Sequence, residues 1–519
     1  MQIKKQSRTV LAAALASVGV LGGGAEVRAA SSAVLPFNGG PDAYRKGAFG
    51  PLMDWPLIPI HVVLQPDGRV LSFGTDLNGT HQPELAYDVW EPALGTGSTA
   101  HLTLDSKTPA ATNVFCAGQA LVPITGQTLV AAGTVNMSAV TKGIPSADTN
   151  LFDYRSNQMV KEPPMALKRW YPSLVSLAGG GLIVMGGKMD TADTTIYGEI
   201  PEVYEAGKGW RVLSTAASVE AYGARNWYYP RAWQAPNGKV FIQTNFGAAY
   251  DLDPTGTGTV TKLPKSGLAD LASTLPSAMF APGKILFLQE KQASAMLDIN
   301  GAVPVASASG KLSQMRYHGN ATLLADGQVV VTGGSSVPNS LSGAAYAVET
   351  WNPATGLWTL GAVAAKARLY HSTALLLPDA TVLVGGGGAP GPLTNLNAEI
   401  YYPPYLFATD GSGELARRPL VLGGPSTMVW NHGYPLRMAN FKAARGVKRV
   451  TLVRAGADTH NWNNEQRFFD LAFHWNGTDE KLRVFTPANA HIAPPGYYLL
   501  FVFNPFGVPS VGRVVKIGP

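Results

Sequence analysis

Three features of this sequence could carry chemistry without a local motif to explain them: one thiol, nine imidazoles, and a tyrosine–histidine pair ahead of an apolar run. Cys116 is the only cysteine in 519 residues, so no intrachain disulfide can form. A lone thiol is buried and inert, paired with another chain, or chemically used. The nine histidines are His61, His81, His101, His318, His371, His432, His460, His474 and His491. None stands in an HxH or HxxxH arrangement, so a metal ion would need ligands from distant parts of the chain. Imidazole together with anionic oxygen suits divalent copper in a tetragonal arrangement. Tyr370-His371 offers one of each.

The elements that must position these residues show themselves as repeats. An apolar run, a turn of the Pro-Asp-Gly kind, a second apolar run and often Gly-Gly recur along the chain. The copies are VVLQPDGRVLSFG (62–74), ALVPITGQTLVAAG (120–133), LVSLAGGGLIVMGG (174–187), AWQAPNGKVFIQT (232–244), SAMFAPGKILFLQ (277–289), ATLLADGQVVVTGG (321–334) and ALLLPDATVLVGGGG (374–388). Their spacing of roughly 45 to 58 residues is the period of kelch-type blades. Further short strands with aromatic and turn residues lie between the copies, such as Trp351-Asn352-Pro353 before Trp358, as four-stranded blades require. The expected architecture is all-β: a seven-bladed kelch-type β-propeller over residues 30–418, followed by an immunoglobulin-like β-sandwich over 419–519. The sandwich rests on six or seven short strands in about 100 residues and lacks the two cysteines of antibody domains.

At the start of the chain, Lys4, Lys5 and Arg8 precede the apolar run Val10–Leu21 and the small-x-small signal Val27-Arg28-Ala29. Residues 1–29 therefore read as a signal peptide cleaved near Ala29, and the mature protein as secreted or periplasmic. No other stretch approaches the ~20 apolar residues of a membrane span. The leader carries half of the formal charge of +6. No basic run remains that would hold nucleic acid. A monomer is expected. Asn78 and Asn320 open Asn-x-Thr triplets, which matter only in a host that glycosylates.

Four separated segments resemble the copper radical oxidases, the group of galactose and glyoxal oxidases. NVFCAG (113–118) is similar to the family's segment bearing a cross-linked cysteine, and RWYPSLVSL (169–177) to the one bearing its partner tyrosine. ARLYHSTALLLPD (367–379) resembles the family's Tyr-His segment. AGADTHNWNNEQR (455–467), with PPGYYLLFVFNPFGVPS (494–510), resembles the C-terminal domain that lends a histidine to the metal. The segments follow the family's order over nearly the whole mature chain. The resemblance implies one copper ion held by Tyr171, Tyr370, His371 and His460, with water or substrate in the remaining equatorial place. Cys116 would be joined to the Tyr171 ring by a thioether, which makes the pair a protein-derived radical cofactor. Tyr370, the axial ligand, would serve as general base. The implied reaction oxidises a primary alcohol or aldehyde, or a glycan terminus, with O2 and releases H2O2. For His460 to reach the centre, a loop of the sandwich must enter the propeller.

The pattern also departs from the family. After Gly186-Gly187, where galactose oxidases place a tryptophan over the cross-link, this chain has Lys188-Met189-Asp190. Trp170, Trp233 and Tyr229 are the candidates to cover the site instead. The chain lacks the N-terminal carbohydrate-binding sandwich of galactose oxidases and stands closer to glyoxal oxidases. His61, His101, His474 and His491 read as packing or surface residues, whereas His318 is a candidate to line the pocket. Two alternatives stay open: a secreted propeller that binds glycans or cell-wall polymers without catalysis, and a copper site that never forms the cross-link.

Overall fold

The computed structural model describes residues 37–81, 86–105, 112–135, 144–193, 195–439, 446–463, 465–475 and 481–519. The expected signal peptide lies outside the described residues. The structure is almost entirely β, and among the described residues no helix is long and apolar enough to cross a membrane.

Each of the seven repeat copies forms an antiparallel hairpin that opens its own sheet. The first strands are His61–Leu64, Gly118–Leu121, Ser173–Ser176, Arg231–Gln234, Ser277–Ala281, Tyr317–Leu323 and Ser372–Leu376. Numbered in chain order, sheets two to six have four strands each in simple meander order. The reason is local: in the first six hairpin turns a Gly sits at positive φ, as Gly68 (88°), Gly180 (88°) and Gly327 (84°) do, where a side chain would be strained, and in the seventh Ala380 takes that place at 67°. The first strands of neighbouring sheets pack against one another around the series, and sheet seven packs back on sheet one. Between sheets four and five the tie is a hydrogen bond from the Arg231 guanidinium to Ser277 Oγ, 3.3 Å. These strands are buried on both faces, so they read as near-continuous apolar runs without clean alternation.

Two sheets are completed from elsewhere in the sequence. Ala48–Phe49 and Met53–Asp54 pair with Asn397–Tyr402 and finish sheet seven, which ties the first described residues to the last repeat. Sheet one gains a hairpin, Ala457–Thr459 with Trp462–Asn463, which pairs with His61–Val63. This hairpin comes from the C-terminal region, about 400 residues later.

The C-terminal region otherwise forms a four-stranded and a five-stranded sheet. Met428, Leu436, Met438, Val450, Leu452, Leu482, Val484, Leu500, Val502 and Val515 make one buried cluster from strands of both. Lys481–Phe485 alternates exposed and buried residues, the signature of a strand with one solvated face.

Asn320 is buried in the first strand of sheet six, and its Nδ2 donates to Ser372 Oγ at 3.0 Å. A side chain so placed is no glycosylation acceptor, which removes Asn320 from the Asn-x-Thr candidates.

Candidate metal and redox centre

The hairpin from the C-terminal region delivers His460. His460 and Asn461 form its two-residue turn, with φ of 51° and 62°, the left-handed pair that a tight hairpin needs. Side chains around the turn fasten it to the first strands of the other sheets. Gln119 of sheet two donates to Asp458 O (3.1 Å), and Ser176 Oγ of sheet three donates to Glu465 (2.7 Å). Arg467 donates to Gln234 O of sheet four (2.9 Å), and Asn461 to Ser273 O ahead of sheet five (3.3 Å). Gln466 accepts from Leu323 N of sheet six (2.8 Å), and Asp458 accepts from Ala374 N of sheet seven (2.8 Å). The ladder to sheet one completes contact with all seven.

Cys116, Tyr171 and His371 occupy one structural position that recurs in five of the seven sheets, and Tyr370 directly precedes it. Counting six residues back from the residue whose N–H closes each hairpin turn (Val122, Leu177, Ala235, Leu324 and Leu377) gives Cys116, Tyr171, Tyr229, His318 and His371. All five have left-handed backbones, with φ of 58°, 66°, 38°, 61° and 66°. Such conformations cost on the order of 1–3 kcal/mol each and persist only where the surroundings impose them. Here the sheets hold one another: Tyr171 N donates to Cys116 O (3.0 Å), Tyr229 N to Tyr171 O (3.0 Å) and His318 N to Thr274 O (2.7 Å).

The five residues named from the sequence converge. Cys116 Sγ lies 3.5 Å from His460 Nε2, and one ligand atom each of Cys116, His371 and His460 fall within 4.8 Å of one another. The Tyr171 and Tyr370 hydroxyls are 3.2 Å apart. The Tyr171 and His460 rings meet edge-on at 5.3 Å, and Tyr370 stacks on His371 at 3.8 Å.

The hydrogen bonds fix which imidazole nitrogen is free. His371 Nδ1 faces the Gly388 carbonyl at 2.7 Å, which can only accept, so Nδ1 carries the proton and the buried, unpartnered Nε2 holds the lone pair. Thr459 Oγ1 donates to Ile60 O at 2.9 Å and therefore accepts from His460 Nδ1 at 2.5 Å. Both imidazoles thus carry their lone pair on Nε2, the form that binds metals; that of His371 is unpartnered and that of His460 faces Cys116 Sγ. Burial pushes His371 down to about 3 and His460 well below its ordinary value, so both are neutral. Burial also raises Cys116, Tyr171 and Tyr370 far above their usual ranges, with the neighbouring thiol and phenols adding to it for Tyr171. Two neutral imidazoles, two phenols and a thiol in a dry site lack only a cation, which would release the phenol protons. The donor set fits copper: imidazole and phenolate suit Cu(II), and no carboxylate among the described residues joins the cluster.

Aromatic cover over Tyr171 comes from two sheets. Trp170 is tilted against it at 4.5 Å and Tyr229 meets it edge-on at 5.5 Å, as two of the three candidates. Trp233 packs instead on Trp462 and Phe287. Sequence reasoning missed Tyr228 (5.0 Å) and Trp227 (5.8 Å), which complete the wall. Lys188, at the place of the absent tryptophan, lies over the Trp227 ring at 4.7 Å. Of the other histidines, His318 lies edge-on to Tyr370 at 5.0 Å. His101 bonds Asp88 at 2.7 Å between Trp55 and Trp90, a packing role. His474 and His491 are at the surface. His61 is buried against Phe73, and its ring also comes within 5.5 Å of His460.

Comparison with known proteins places these features in context. Residues 418–517 match the family model described as galactose oxidase-like, Early set domain. The chain is 27% identical to a galactose oxidase of Gibberella zeae, over 91% of this chain and 70% of the relative. It is 26% identical to aldehyde oxidase GLOX of Vitis pseudoreticulata, over 79% of this chain and 82% of the relative. The fold matches that of a fungal alcohol oxidase solved in complex with copper, with TM-score 0.81 at 24% identity, covering 92% of this chain and all of the other.

Proposed function

The chain belongs to the copper radical oxidases and is a copper-dependent oxidase; from that premise we propose that it oxidises a primary alcohol or aldehyde, using a Tyr171–Cys116 redox pair, and releases H2O2. One observation carries this reading: Cys116, Tyr171, Tyr370, His371 and His460, from four distant segments, converge with the lone pair of each imidazole on Nε2.

Copper, bound by Tyr171, Tyr370, His371 and His460, would acidify an alcohol oxygen and take up one electron. The residues supply the rest. Tyr370, within hydrogen-bond reach of Tyr171, takes the proton of the substrate hydroxyl. Tyr171 in its one-electron oxidised form takes a hydrogen atom from the substrate carbon. A thioether from Cys116 donates electron density into the Tyr171 ring and makes that oxidised form accessible. The aromatic wall of Trp170, Trp227, Tyr228 and Tyr229 keeps water from it. Forming the thioether removes the thiol hydrogen and one ring hydrogen, and O2 takes up the two electrons and two protons. We read the ring of seven sheets as a seven-bladed propeller, residues 419–519 as an immunoglobulin-like sandwich and residues 1–29 as a cleaved export signal.

The test is peptide mapping by mass spectrometry of copper-loaded protein, joined to a substrate screen by H2O2 release. The expected product is a Cys116 peptide joined to the Tyr171 peptide, two hydrogens lighter than their sum. A Cys116 that still alkylates freely after copper loading in air leaves a simple copper site. Failure to take up copper at all leaves a binding propeller.

A further inference from the structure

The first strand of sheet seven, Ser372–Leu376, pairs on one side with Val382–Gly386. Its other edge faces the His460 hairpin, where among the described residues no strand completes its ladder. In sheets three and six, inner-edge N–H groups one step further along the first strand are met by long side chains of the same C-terminal segment: Glu465 accepts from Ser176 N (3.3 Å) and Gln466 from Leu323 N (2.8 Å). In sheet seven the acceptor is Asp458, whose Oδ2 takes Ala374 N at 2.8 Å. The position is particular. Ala374 is three residues beyond His371, and Asp458 is two residues before His460.

Asp458 is 2% exposed, and among the described residues no basic side chain pairs with it. Its donors are backbone N–H groups, those of Ala374 and Thr459. Its own carbonyl accepts from Gln119, whose Oε1 in turn accepts from His61. A buried carboxyl with no counter-ion is an expensive way to close a sheet edge that a neutral amide closes in sheet six. What distinguishes Asp458 is its reach, the shortest of the three, at the edge of the strand that directly follows His371.

We propose that Asp458 is a positioning residue whose side-chain length sets the separation of His371 and His460. The proposal rests on the reading that these two imidazoles hold the copper. An added methylene would push the hairpin from sheet seven by about 1.5 Å, and displacements of about 1 Å cost heavily in preorganised sites.

Three substitutions separate length from charge. Asp458→Asn keeps the reach and an oxygen for Ala374 N; Asp458→Glu keeps the charge and changes the reach; Asp458→Ala removes both. The readouts are Cu(II) affinity by chelator competition, the hyperfine splitting of the bound Cu(II), and thermal melting to verify folding. Positioning predicts Asp458→Asn within about threefold of wild type, because one hydrogen bond of neutral strength is retained. It predicts Asp458→Glu weakened by about tenfold or more, the usual cost of losing an outer partner of a metal ligand, with altered hyperfine splitting. The reverse order, with Glu tolerated and Asn weakened or unfolded, assigns the effect to charge and overturns the proposal. Wild-type affinity in all three overturns it as well. A wild-type protein that takes no copper sinks the underlying functional reading and this inference together, an outcome distinct from either of the others.

Discussion

Replacing Thr459 by valine tests how His460 is aimed, because the two side chains have nearly the same shape. The Thr459 hydroxyl makes two bonds at once, donating to Ile60 O at 2.9 Å and accepting from His460 Nδ1 at 2.5 Å. Valine leaves the Nδ1–H and the Ile60 carbonyl buried without partners. An unsatisfied buried polar group costs about 1–3 kcal/mol, so the metal-free protein should melt at lower temperature. The effect on the metal is separate. Without an acceptor at Nδ1 the ring loses its fixed tautomer and orientation, and removal of such a partner typically costs 10–100-fold in metal affinity, or about 1.4–2.8 kcal/mol. The assay is Cu(II) competition against a chelator on metal-free wild type, Thr459→Val and Thr459→Ser. Serine keeps the hydroxyl and should restore most of the affinity. If Thr459→Val binds copper within about threefold of wild type, the fixed-tautomer argument is wrong, since that lies well below the cost of a lost outer partner.

The His371 side admits a parallel test. Gly388 has φ of 131°, and a Cβ there would lie 2.3 Å from Leu393 O, so Gly388→Ala must shift the carbonyl that takes His371 Nδ1–H. Overpacking of that kind costs about 1–3 kcal/mol; thermal stability and copper affinity should fall together, and an unchanged affinity would show that this carbonyl does not aim the ring. Acid should destabilise the metal-free protein through its buried imidazoles. Burial holds His61 and His371 near 3 and His318 near 4, whereas the unfolded chain takes up these protons near 6.5. The unfolded state therefore binds more protons below that value, so stability is full above about pH 6.5 and falls as pH drops toward 4. His460 is lowered as well, while Asp458, raised by burial to about 7, acts in the opposite sense, so the net limiting slope is about 4 kcal/mol per pH unit, read as the urea midpoint between pH 4 and 7; a flat profile there would contradict neutral burial.

The repeats were legible because each is a local hairpin whose turn residues and apolar runs lie within about 14 residues of one another. The same rule reaches beyond the residues that resemble the family's ligands and cross-link. Counting back six residues from the turn finds Tyr229 and His318 as surely as Tyr171 and His371, because a fixed position in each sheet points at the same centre. Only the residue types differ, and a tyrosine that caps a wall looks no different in sequence from one that binds a metal. The covering residues show the limit more sharply. Trp170 is adjacent to Tyr171 and could be guessed, whereas Trp227 and Tyr228 reach the ring from the next sheet, and Trp233, equally aromatic and equally near in sequence, turns toward Trp462.

The fastening of the hairpin was not legible at all, since Glu465, Gln466 and Arg467 find partners 289, 143 and 233 residues away. No period or spacing encodes such pairs; they exist only once the ring has closed. That order has a physical consequence. The sheets can each form from local contacts, but the left-handed backbones at Cys116, Tyr171 and His371 are imposed by neighbouring sheets, and His460 arrives only with the C-terminal segment. Chemistry assembled in this way depends on the whole molecule at once, so lesions far from the metal, at Glu465 or at Ala374's partner Asp458, should register at the copper as directly as lesions beside it.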